Sequence, residues 1–265
     1  MIRGVLIDLS GVLYVGKQAL PGAREALDTL QSAGIPVRFI TNTTRSTRAE
    51  ILAQLHGFGF SIKPSNLLTA PDITHTYLES NKLTVYPLIH PNLLPEFEDR
   101  ISETPNAVLI GDAGEDFTYG RLNAAFRLLM EGTPLIAMGN NRYFKEADGL
   151  SLDAGPFVAA LEYASKRQAV VTGKPAAIFY HTACASMHCQ PRETIMIGDD
   201  VEADVLGALD AGLQAILVQT GKFRPEDTVQ IEGTDAHVLA DFSAAVDWIL
   251  QQPRGDQISK NPRDG

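Results

Sequence analysis

Two acidic positions far apart in the chain have the surroundings that phosphoryl chemistry requires, and the first is Asp8. It ends the apolar run 4–8 and is followed by a turn at Ser10-Gly11. A carboxylate at the end of a buried strand, beside turn N–H groups that can face an anion, suits a nucleophile that attacks phosphorus. Taken alone, the pattern also fits an Asp that only caps its own turn. Asp8 is therefore a candidate nucleophile whose assignment depends on other residues.

The second acidic position is Gly198-Asp199-Asp200, with Asp204 four residues later. Three carboxylates after an apolar strand repel one another unless a cation lies among them, and carboxylate oxygens are ligands that Mg²⁺ prefers. Asp200 or Asp204 could instead stabilise a helix N-terminus through the helix dipole. Because that explanation covers one of the three and not all, the acids predict a Mg²⁺ site.

Phosphate donors are predicted after two further apolar runs. Thr41-Asn42 offers a hydroxyl and an amide, although such a pair at a strand end is commonly a turn or a cap. Lys174 lies between Gly173 and Pro175, which restrict its position, and it could neutralise both a nucleophilic carboxylate and a phosphate. A lone Lys is usually a solvated surface residue, so these donors also depend on their neighbours.

The elements that must position these residues alternate between strands and helices. Apolar runs predict strands, and periodic apolar stripes with N-terminal caps such as Ser46 predict helices between them. The pattern is that of a parallel sheet covered on both faces, in which ligands bind beyond the carboxyl ends of the strands. Asp8, Thr41 and Asp199 occupy such ends and are expected to converge. The predicted strands are 4–8, 37–40, 85–89, 107–110, 135–138, 170–172, 194–197 and 215–218, and the predicted helices include 122–130 and 156–165.

These elements fall into an interrupted domain and an insertion. Residues 1–70 and 170–250 carry the acidic positions and the phosphate donors, and residues 71–169 hold enough strands and helices for a domain of their own. Residues 251–265 lack apolar periodicity and are predicted to be a disordered tail. The sequence thus predicts an α/β core with an inserted domain.

Composition argues against several classes of protein. The chain has 265 residues, 45% of them hydrophobic and 20% charged, and its formal net charge of −10 argues against a nucleic-acid partner. No apolar run is long enough to span a membrane or to form a signal peptide, so a soluble, cytoplasmic protein is expected. Cys184 and Cys189 lie near His181 and His188, but their spacing favours neither a structural zinc site nor a disulfide.

Taken in chain order, the nucleophile, hydroxyl, lysine and acidic positions resemble the four motifs of the haloacid dehalogenase superfamily of aspartate-nucleophile phosphatases, subfamily IIA. The resemblance covers residues 4–250, and the insertion lies where that subfamily carries its larger, C2-type α/β cap domain. It implies a doubly wound parallel-sheet, Rossmann-like core. The segments most similar to the phosphatases of phospholysine, phosphohistidine and inorganic pyrophosphate are Asp8-Leu9-Ser10-Gly11-Val12-Leu13-Tyr14, Gly173-Lys174-Pro175, Thr220-Gly221-Lys222-Phe223-Arg224-Pro225, Asp112-Ala113-Gly114-Glu115 and Leu152-Asp153-Ala154-Gly155-Pro156.

The resemblance assigns roles to the acidic residues. It implies that Asp8 is the nucleophile and that Asp8, Asp199 and the backbone carbonyl of Ser10 hold Mg²⁺. Asp204 is expected outside the direct ligands of the metal. These roles agree with elementary electrostatics, because a metal offsets the repulsion that otherwise keeps an anionic nucleophile from an anionic phosphate.

The resemblance also implies a substrate site. Ser10, Thr41, Asn42 and Lys174 are expected to bind the phosphorylated substrate, and Lys174 is expected to take part in catalysis as well. The cap should exclude water and select the substrate. Relatives of this kind suggest a homodimer formed through the cap. Candidate cap contacts with the substrate are Asp112, Asn140, Asn141 and Arg142.

The departure from the superfamily pattern is Ser10. Most members carry a second Asp at this position, which protonates the leaving group and later activates water. A serine hydroxyl is too weak an acid for that task near neutral pH. The sequence therefore predicts weak activity on alkyl phosphates and a preference for pyrophosphate, acyl phosphate or P–N bonds, whose leaving groups depend less on an acid. It does not identify the group that activates water.

Two other functions remain open. A phosphate-binding or phosphoprotein-binding module could keep the metal site without turnover, and a phosphomutase-like enzyme could transfer the phosphoryl group to an acceptor other than water. The presence of both Asp8 and Lys174 favours hydrolysis of phosphate esters or anhydrides, because a docking site needs no nucleophile. Small phosphorylated metabolites and a phospho-amino acid on a protein are both possible substrates.

Overall fold

The computed structural model of the protein describes residues 1–145 and 149–252. The predicted tail, 251–265, lies outside these residues except for its first two, and the first of them, Gln251, ends the last helix. The strands are β1 (Gly4–Asp8), β2 (Tyr14–Val15), β3 (Gln18–Ala19), β4 (Val37–Thr41), β5 (Leu67–Thr69), β6 (Val85–Leu88), β7 (Ala107–Ile110), β8 (Leu135–Ala137), β9 (Tyr143–Lys145), β10 (Leu150–Leu152), β11 (Val170–Val171), β12 (Thr194–Gly198), β13 (Gln214–Val218) and β14 (His237–Leu239). The α-helices are α1 (Ala23–Ser32), α2 (Arg48–Gly57), α3 (Ala70–Ser80), α4 (Tyr119–Met130), α5 (Ala154–Ser165), α6 (Ala177–Ser186), α7 (Gly207–Asp210), α8 (Asp227–Gln230) and α9 (Phe242–Gln251).

Contacts within the chain divide it into two compact units. The first unit contains Met1–Arg38 and the chain from Cys184 onward, and the second is Phe39–Ala183. Residues 39–70 and 170–183, which the sequence assigned to the core, therefore group by contacts with the predicted insertion at 71–169. The domain boundaries stay a prediction, because contact density alone does not define a domain that folds by itself.

The first unit is built on four parallel strands in the order β14-β13-β12-β1. The register of β1 and β12 sets Val5 beside Ile195 and Ile7 beside Ile197. All residues of both strands are buried, as expected for strands that are covered on both faces. The carboxyl ends of β1 and β12 are therefore neighbours, and the residues that follow them lie close together.

The second unit contains a parallel pair, β4 and β5, and a four-stranded parallel sheet in the order β11-β8-β7-β6. Buried side chains of β6, β7 and β8 pack against those of α4 and α5. The rings of Phe117 and Phe157 stack beside them with centroids 3.7 Å apart. Burial of each large apolar side chain contributes about 1.5–3 kcal/mol. The predicted α/β architecture with parallel sheets is confirmed.

Helices begin where capping side chains occur, and this corrects the prediction for α2. The predicted cap, Ser46, is wrong: the hydroxyl of Thr47 accepts from the backbone N–H of Glu50, whose carboxylate accepts from the backbone N–H of Thr47. This reciprocal cap needs a Glu or Gln three residues after the hydroxyl, and Ser46 has Ala49 there. Helices α4 and α5 likewise begin before residues 122 and 156, because capping side chains precede them.

Candidate active site

Three buried carboxylates, Asp8, Asp199 and Asp204, form the acidic cluster of the first unit. Asp8 is the last residue of β1, Asp199 follows β12, and Asp204 lies in a π-helical segment, Val201–Leu206, that leads into α7. Their carboxylate oxygens lie within 4.8 Å of one another, and the residues are 8%, 2% and 1% exposed. Such separations suit oxygens that share one cation.

The repulsion within the acidic cluster is reflected in the titration of Asp199. Burial, and then the neighbouring charges of Asp8 and Asp204, raise the pKa of Asp199 to about 8. They do so although the backbone N–H of Lys222 donates to its Oδ2 at 2.6 Å. The fold therefore disfavours the anionic form of a carboxyl group that it buries. A divalent cation would offset this repulsion, so the donor set fits the predicted Mg²⁺.

Two glycines allow the backbone to approach Asp199 closely. Gly11 and Gly221 have φ of +90° and +63°, and a Cβ on either would collide with the Asp199 carboxylate. The hydroxyl of Thr220 also donates to the carbonyl oxygen of Gly11. The loops after β1, β12 and β13 therefore meet around one carboxylate, and two of them need glycine there.

Asp200 has a different role from its neighbours. Its Oδ1 accepts from the backbone N–H groups of Glu202 and Ala203 at 3.2 and 3.0 Å, and its Oδ2 lies 3.0 Å from Nζ of Lys222. Asp200 is thus the helix-capping acid that the sequence allowed for. Asp204 is not a cap: its Oδ2 accepts from the backbone N–H of Asp200 at 3.2 Å, inside the acidic cluster. Its expected place outside the direct ligands of the metal stays a prediction.

The loop after Asp8 brings Tyr14 near that carboxylate. Ser10 is exposed, and the backbone N–H of Gly11 donates to the carbonyl oxygen of Tyr14 at 2.7 Å. Burial, and then the charge of Asp8, raise the pKa of Tyr14 to about 12. The Tyr14 phenol therefore stays protonated at neutral pH. Tyr14 ends the segment that carried the resemblance, but its residue type alone predicted no role for it.

The predicted phosphate donors Thr41, Asn42 and Lys174 lie in the second unit and form the donor group. The Nδ2 of Asn42 donates to the carbonyl oxygen of Lys174, and the backbone N–H of Lys174 donates to Oδ1 of Asn42, both at 2.8 Å. Lys174 is 3% exposed and Thr41 is 7% exposed. The oxygen of the Thr41 hydroxyl accepts from the backbone N–H of Thr43 at 3.2 Å. Within this unit the structure thus brings together two residues that lie 132 positions apart.

Two of the four candidate cap residues already bond to other parts of the protein. Asp112 is 4% exposed, and its carboxylate pairs with Arg45. The carbonyl oxygen of Asn141 accepts from the backbone N–H of Gly155 at 3.0 Å, and a Cβ on Gly155 would collide with this carbonyl. Asn140 and Arg142 are exposed. Contacts of these four residues with a substrate stay predictions.

Cys184 and Cys189 are buried, free thiols. Burial is the main cause that raises the pKa of each thiol. Neither side chain is therefore activated as a thiolate nucleophile. Across residues 1–145 and 149–252, no helix has the length and apolarity that crossing a bilayer requires. The cytoplasmic location stays a prediction.

Comparison with known sequences identifies the family. The pattern of the haloacid dehalogenase-like hydrolases matches residues 5–100, and a second pattern, described as HAD-hydrolase-like, matches residues 171–245. The human haloacid dehalogenase-like hydrolase domain-containing protein 2 is 43% identical over 250 residues, which cover 94% of this chain and 96% of that protein. Human phospholysine phosphohistidine inorganic pyrophosphate phosphatase is 40% identical over 256 residues, covering 94% and 95%.

Solved structures agree with this assignment. The 4-nitrophenylphosphatase of Thermotoga maritima superposes with a TM-score of 0.86 at 27% identity, over 93% of this chain and 97% of that one. NagD of E. coli K-12 has a TM-score of 0.82 at 23% identity, covering 92% and 99%, and shares the fold. These matches confirm the predicted fold class, with its core and cap. The chain belongs to the haloacid dehalogenase-like hydrolases and is an enzyme of that family.

Proposed function

We propose that the protein is a Mg²⁺-dependent phosphatase in which the Asp8 carboxylate attacks phosphorus and forms an aspartyl-phosphate. The acidic cluster carries the proposal: a buried carboxylate at the end of β1 lies within 4.8 Å of two others. Three such groups are unfavourable in a low-dielectric interior unless a cation joins them. A phosphoryl-transfer site uses that arrangement, because the nucleophile and the metal must lie side by side.

The residues that would hold Mg²⁺ are Asp8, Asp199 and the backbone carbonyl of Ser10, with Asp204 beside them. When bound, the ion supplies positive charge that lets an anionic nucleophile approach an anionic phosphate. The loop after β13 supports this set, because the backbone N–H of Lys222 fixes Oδ2 of Asp199 at 2.6 Å. Gly11 and Gly221 leave the space that the Asp199 carboxylate occupies.

The donor group would bind the phosphate. Lys174 supplies a cation and Thr41 a hydroxyl. Asn42 supports Lys174 through two backbone hydrogen bonds of 2.8 Å, so part of its contribution is to hold the lysine in place. Such preorganised donors need no rearrangement as charge shifts during the reaction.

The reaction follows from these assignments. An oxygen of Asp8 forms a bond to phosphorus while the bond from phosphorus to the leaving group breaks, and the leaving group departs with the electron pair. Water then attacks the aspartyl-phosphate, which releases phosphate and restores the Asp8 carboxylate. Ser10 and Tyr14 are both too weakly acidic to protonate a leaving group efficiently at neutral pH, since the Tyr14 pKa is raised to about 12.

The substrate preference follows from this missing acid. We expect turnover of pyrophosphate, acyl phosphates and P–N bonds, whose leaving groups depart without a strong acid, and slow turnover of alkyl phosphates. A relative that is 40% identical carries phospholysine, phosphohistidine and inorganic pyrophosphate in its name. That name agrees with the preference that leaving-group chemistry predicts.

The first experiment measures steady-state phosphate release from pyrophosphate, imidazole phosphate and an alkyl phosphate, with and without Mg²⁺. Turnover of the first two that needs Mg²⁺ and is lost in Asp8→Asn supports the proposal. Ser10→Asp should raise turnover of the alkyl phosphate, by about tenfold or more if the added carboxyl acts as a general acid. No increase in that variant would contradict the leaving-group argument. Binding of phosphate without turnover of any substrate would favour a docking module.

We also propose that the protein forms a homodimer through the residues predicted as the cap. The hairpin β9–β10 carries apolar side chains that are unusually exposed, including Leu150 at 70% and Leu152 at 61%. Exposed apolar side chains that lie close together commonly mark a protein interface. Sedimentation velocity should show a dimer, and Leu150→Lys together with Leu152→Lys should give a monomer. A monomeric wild-type protein would contradict this proposal.

A further inference from the structure

The threonine loop, residues 42–45, follows β4 and lies along the carboxyl ends of the four-stranded sheet. At its start, Asn42 bonds to the backbone of Lys174, just beyond β11. At its end, Arg45 pairs with Asp112, just beyond β7. The amide of Asn92, beyond β6, donates to the carbonyl oxygen of Arg45 at 3.3 Å. The threonine loop, which begins directly after Thr41 and includes Asn42, is therefore attached to several strands of this sheet, all within the second unit.

Asp112 is the principal attachment point. Its Oδ2 accepts from Nε of Arg45, its Oδ1 lies 3.3 Å from Nη2 of the same side chain, and Oδ1 also accepts from the backbone N–H of Gly114 at 3.0 Å. The backbone N–H of Asp112 donates to the hydroxyl of Thr44 at 3.2 Å. Asp112 thus contacts both of the last two residues of the threonine loop. A bidentate contact of this kind fixes the orientation of the Arg45 guanidinium as well as its distance from Asp112.

The guanidinium of Arg45 is held on a second side. It lies over the ring of Phe144 at 4.5 Å from the centroid. Its side chain is 35% exposed, whereas that of Asp112 is 6% exposed. Packing below the threonine loop is tight, because a Cβ on Gly111 would collide with the side chain of Met138 and lie 3.6 Å from Cβ of Thr44. The end of the loop therefore has little freedom to move.

We propose that Asp112 and Arg45 are positioning residues, which hold the threonine loop so that Thr41 and Asn42 present their donors to the phosphate in a fixed geometry. The inference rests on the proposed phosphate-binding role of the donor group. Stability is a weak explanation for the pair, because the Arg45 side chain is 35% exposed and the desolvation of the Asp112 carboxylate offsets much of the attraction. Such pairs are better suited to fixing one arrangement among several.

The test compares Asp112→Asn with Asp116→Asn. Both substitutions replace an ion-paired carboxylate by an amide in the same segment, but Asp116 pairs with Arg121, at 2.7 Å, and not with the threonine loop. In Asp112→Asn, kcat/KM for pyrophosphate should fall about ten- to hundredfold, mainly through a higher KM, and the affinity for inorganic phosphate should fall in parallel. Asp116→Asn should stay within about twofold of wild type.

A double-mutant cycle shows whether the two residues act together. If Asp112 acts through Arg45, the variant with both Asp112→Asn and Arg45→Gln should have a kcat/KM no lower than that of the more impaired single variant. Arg45→Lys should have a kcat/KM below that of wild type, because an ammonium cannot make the bidentate contact. Additive losses, or full activity in Arg45→Lys, would overturn the proposal.

Hydrogen exchange gives a result that does not depend on catalysis. Amides of the threonine loop should exchange faster in Asp112→Asn than in Asp116→Asn, and unchanged exchange would overturn the proposal. Faster exchange with unchanged phosphate affinity would overturn it too, because the loop would then not position phosphate donors. If wild-type protein binds phosphate without turnover, and Asp112→Asn weakens that binding, the result would contradict the proposed hydrolase and support the positioning role. Wild-type protein that does not bind phosphate would overturn both.

Discussion

The acidic cluster of the first unit and the donor group of the second differ in how the protein compensates their buried polar groups. Like charges are buried together in the acidic cluster, and the pKa of Asp199 is raised to about 8 as a result. In the donor group, by contrast, Asn42 satisfies both the N–H and the carbonyl of Lys174. A cation would offset the repulsion in the acidic cluster, whereas hydrogen bonds within the polypeptide already stabilise the donor group.

Removal of the proposed nucleophile from the acidic cluster should have the strongest effect on activity. Asp8→Asn should lower kcat on pyrophosphate by about 10⁴-fold or more, because an amide cannot form the aspartyl-phosphate. Phosphate release at saturating Mg²⁺ measures this. Circular dichroism controls for folding, and we expect the metal-free variant to be at least as stable as wild type, since one buried charge is gone. Substantial remaining turnover would show that another group attacks phosphorus.

A smaller effect should follow from breaking the donor group. Asn42→Ala removes two hydrogen bonds to the Lys174 backbone, which should lower the free energy of unfolding by about 1–3 kcal/mol and kcat/KM by about tenfold. Urea denaturation and steady-state kinetics measure the two quantities.

The chain offers a matched control for Asn42. The side chain of Asn106 also bonds to the backbone both as acceptor and as donor. Its Oδ1 accepts from the N–H of Thr84 at 2.8 Å, and its Nδ2 donates to the carbonyl oxygen of Lys82 at 3.4 Å. Asn106→Ala should lower stability without changing kcat/KM. An equal loss of kcat/KM in both variants would mean that Asn42 acts through general stability and not through Lys174.

A third variant tests how closely the backbone must approach the acidic cluster. In Gly221→Ala, the added methyl would collide with the Asp199 carboxylate and with Cα of Gly11. Gly233 also has a positive φ, of +77°, but open space around it, so Gly233→Ala should cost only the conformational penalty of about 1–2 kcal/mol. Gly221→Ala should cost more and should also weaken Mg²⁺ binding, measured by titration calorimetry. Equal behaviour of the two variants would contradict the geometry of the acidic cluster.

A last prediction concerns the pH dependence of stability that the acidic cluster causes. Because the pKa of Asp199 is raised from 3.8 to about 8 in the folded protein, its contribution to stability is fully present below pH 3.8 and is lost as the pH rises through 8. Metal-free protein should therefore lose stability as the pH rises from 3.8 to about 8, and saturating Mg²⁺ should remove part of the loss. Urea midpoints of wild type and Asp199→Asn measure it. If the stability of Asp199→Asn has the same pH dependence as that of wild type, another group causes the pH dependence.

Much of the fold could be read from local patterns. The run 4–8 and the strand Gly4–Asp8 agree, and 107–110 agrees with Ala107–Ile110, because parallel strands buried on both faces leave continuous apolar runs. Helix starts were less accurate, since a cap depends on which of two neighbouring hydroxyls finds its partner. Thr47 has Glu50 and Ser46 has none, a difference that is visible in the sequence once the spacing is considered.

The residue types that suit phosphoryl chemistry, and their positions after strands, could be predicted from the chain alone, because they are local properties of composition and periodicity. Three-dimensional contacts were needed to show that Asp204 lies beside Asp8 and Asp199 while Asp200 caps a helix. Such contacts were also needed to show that Asp112 pairs with Arg45. Contacts between residues far apart in sequence depend on strand order and loop path, which residue spacing does not encode.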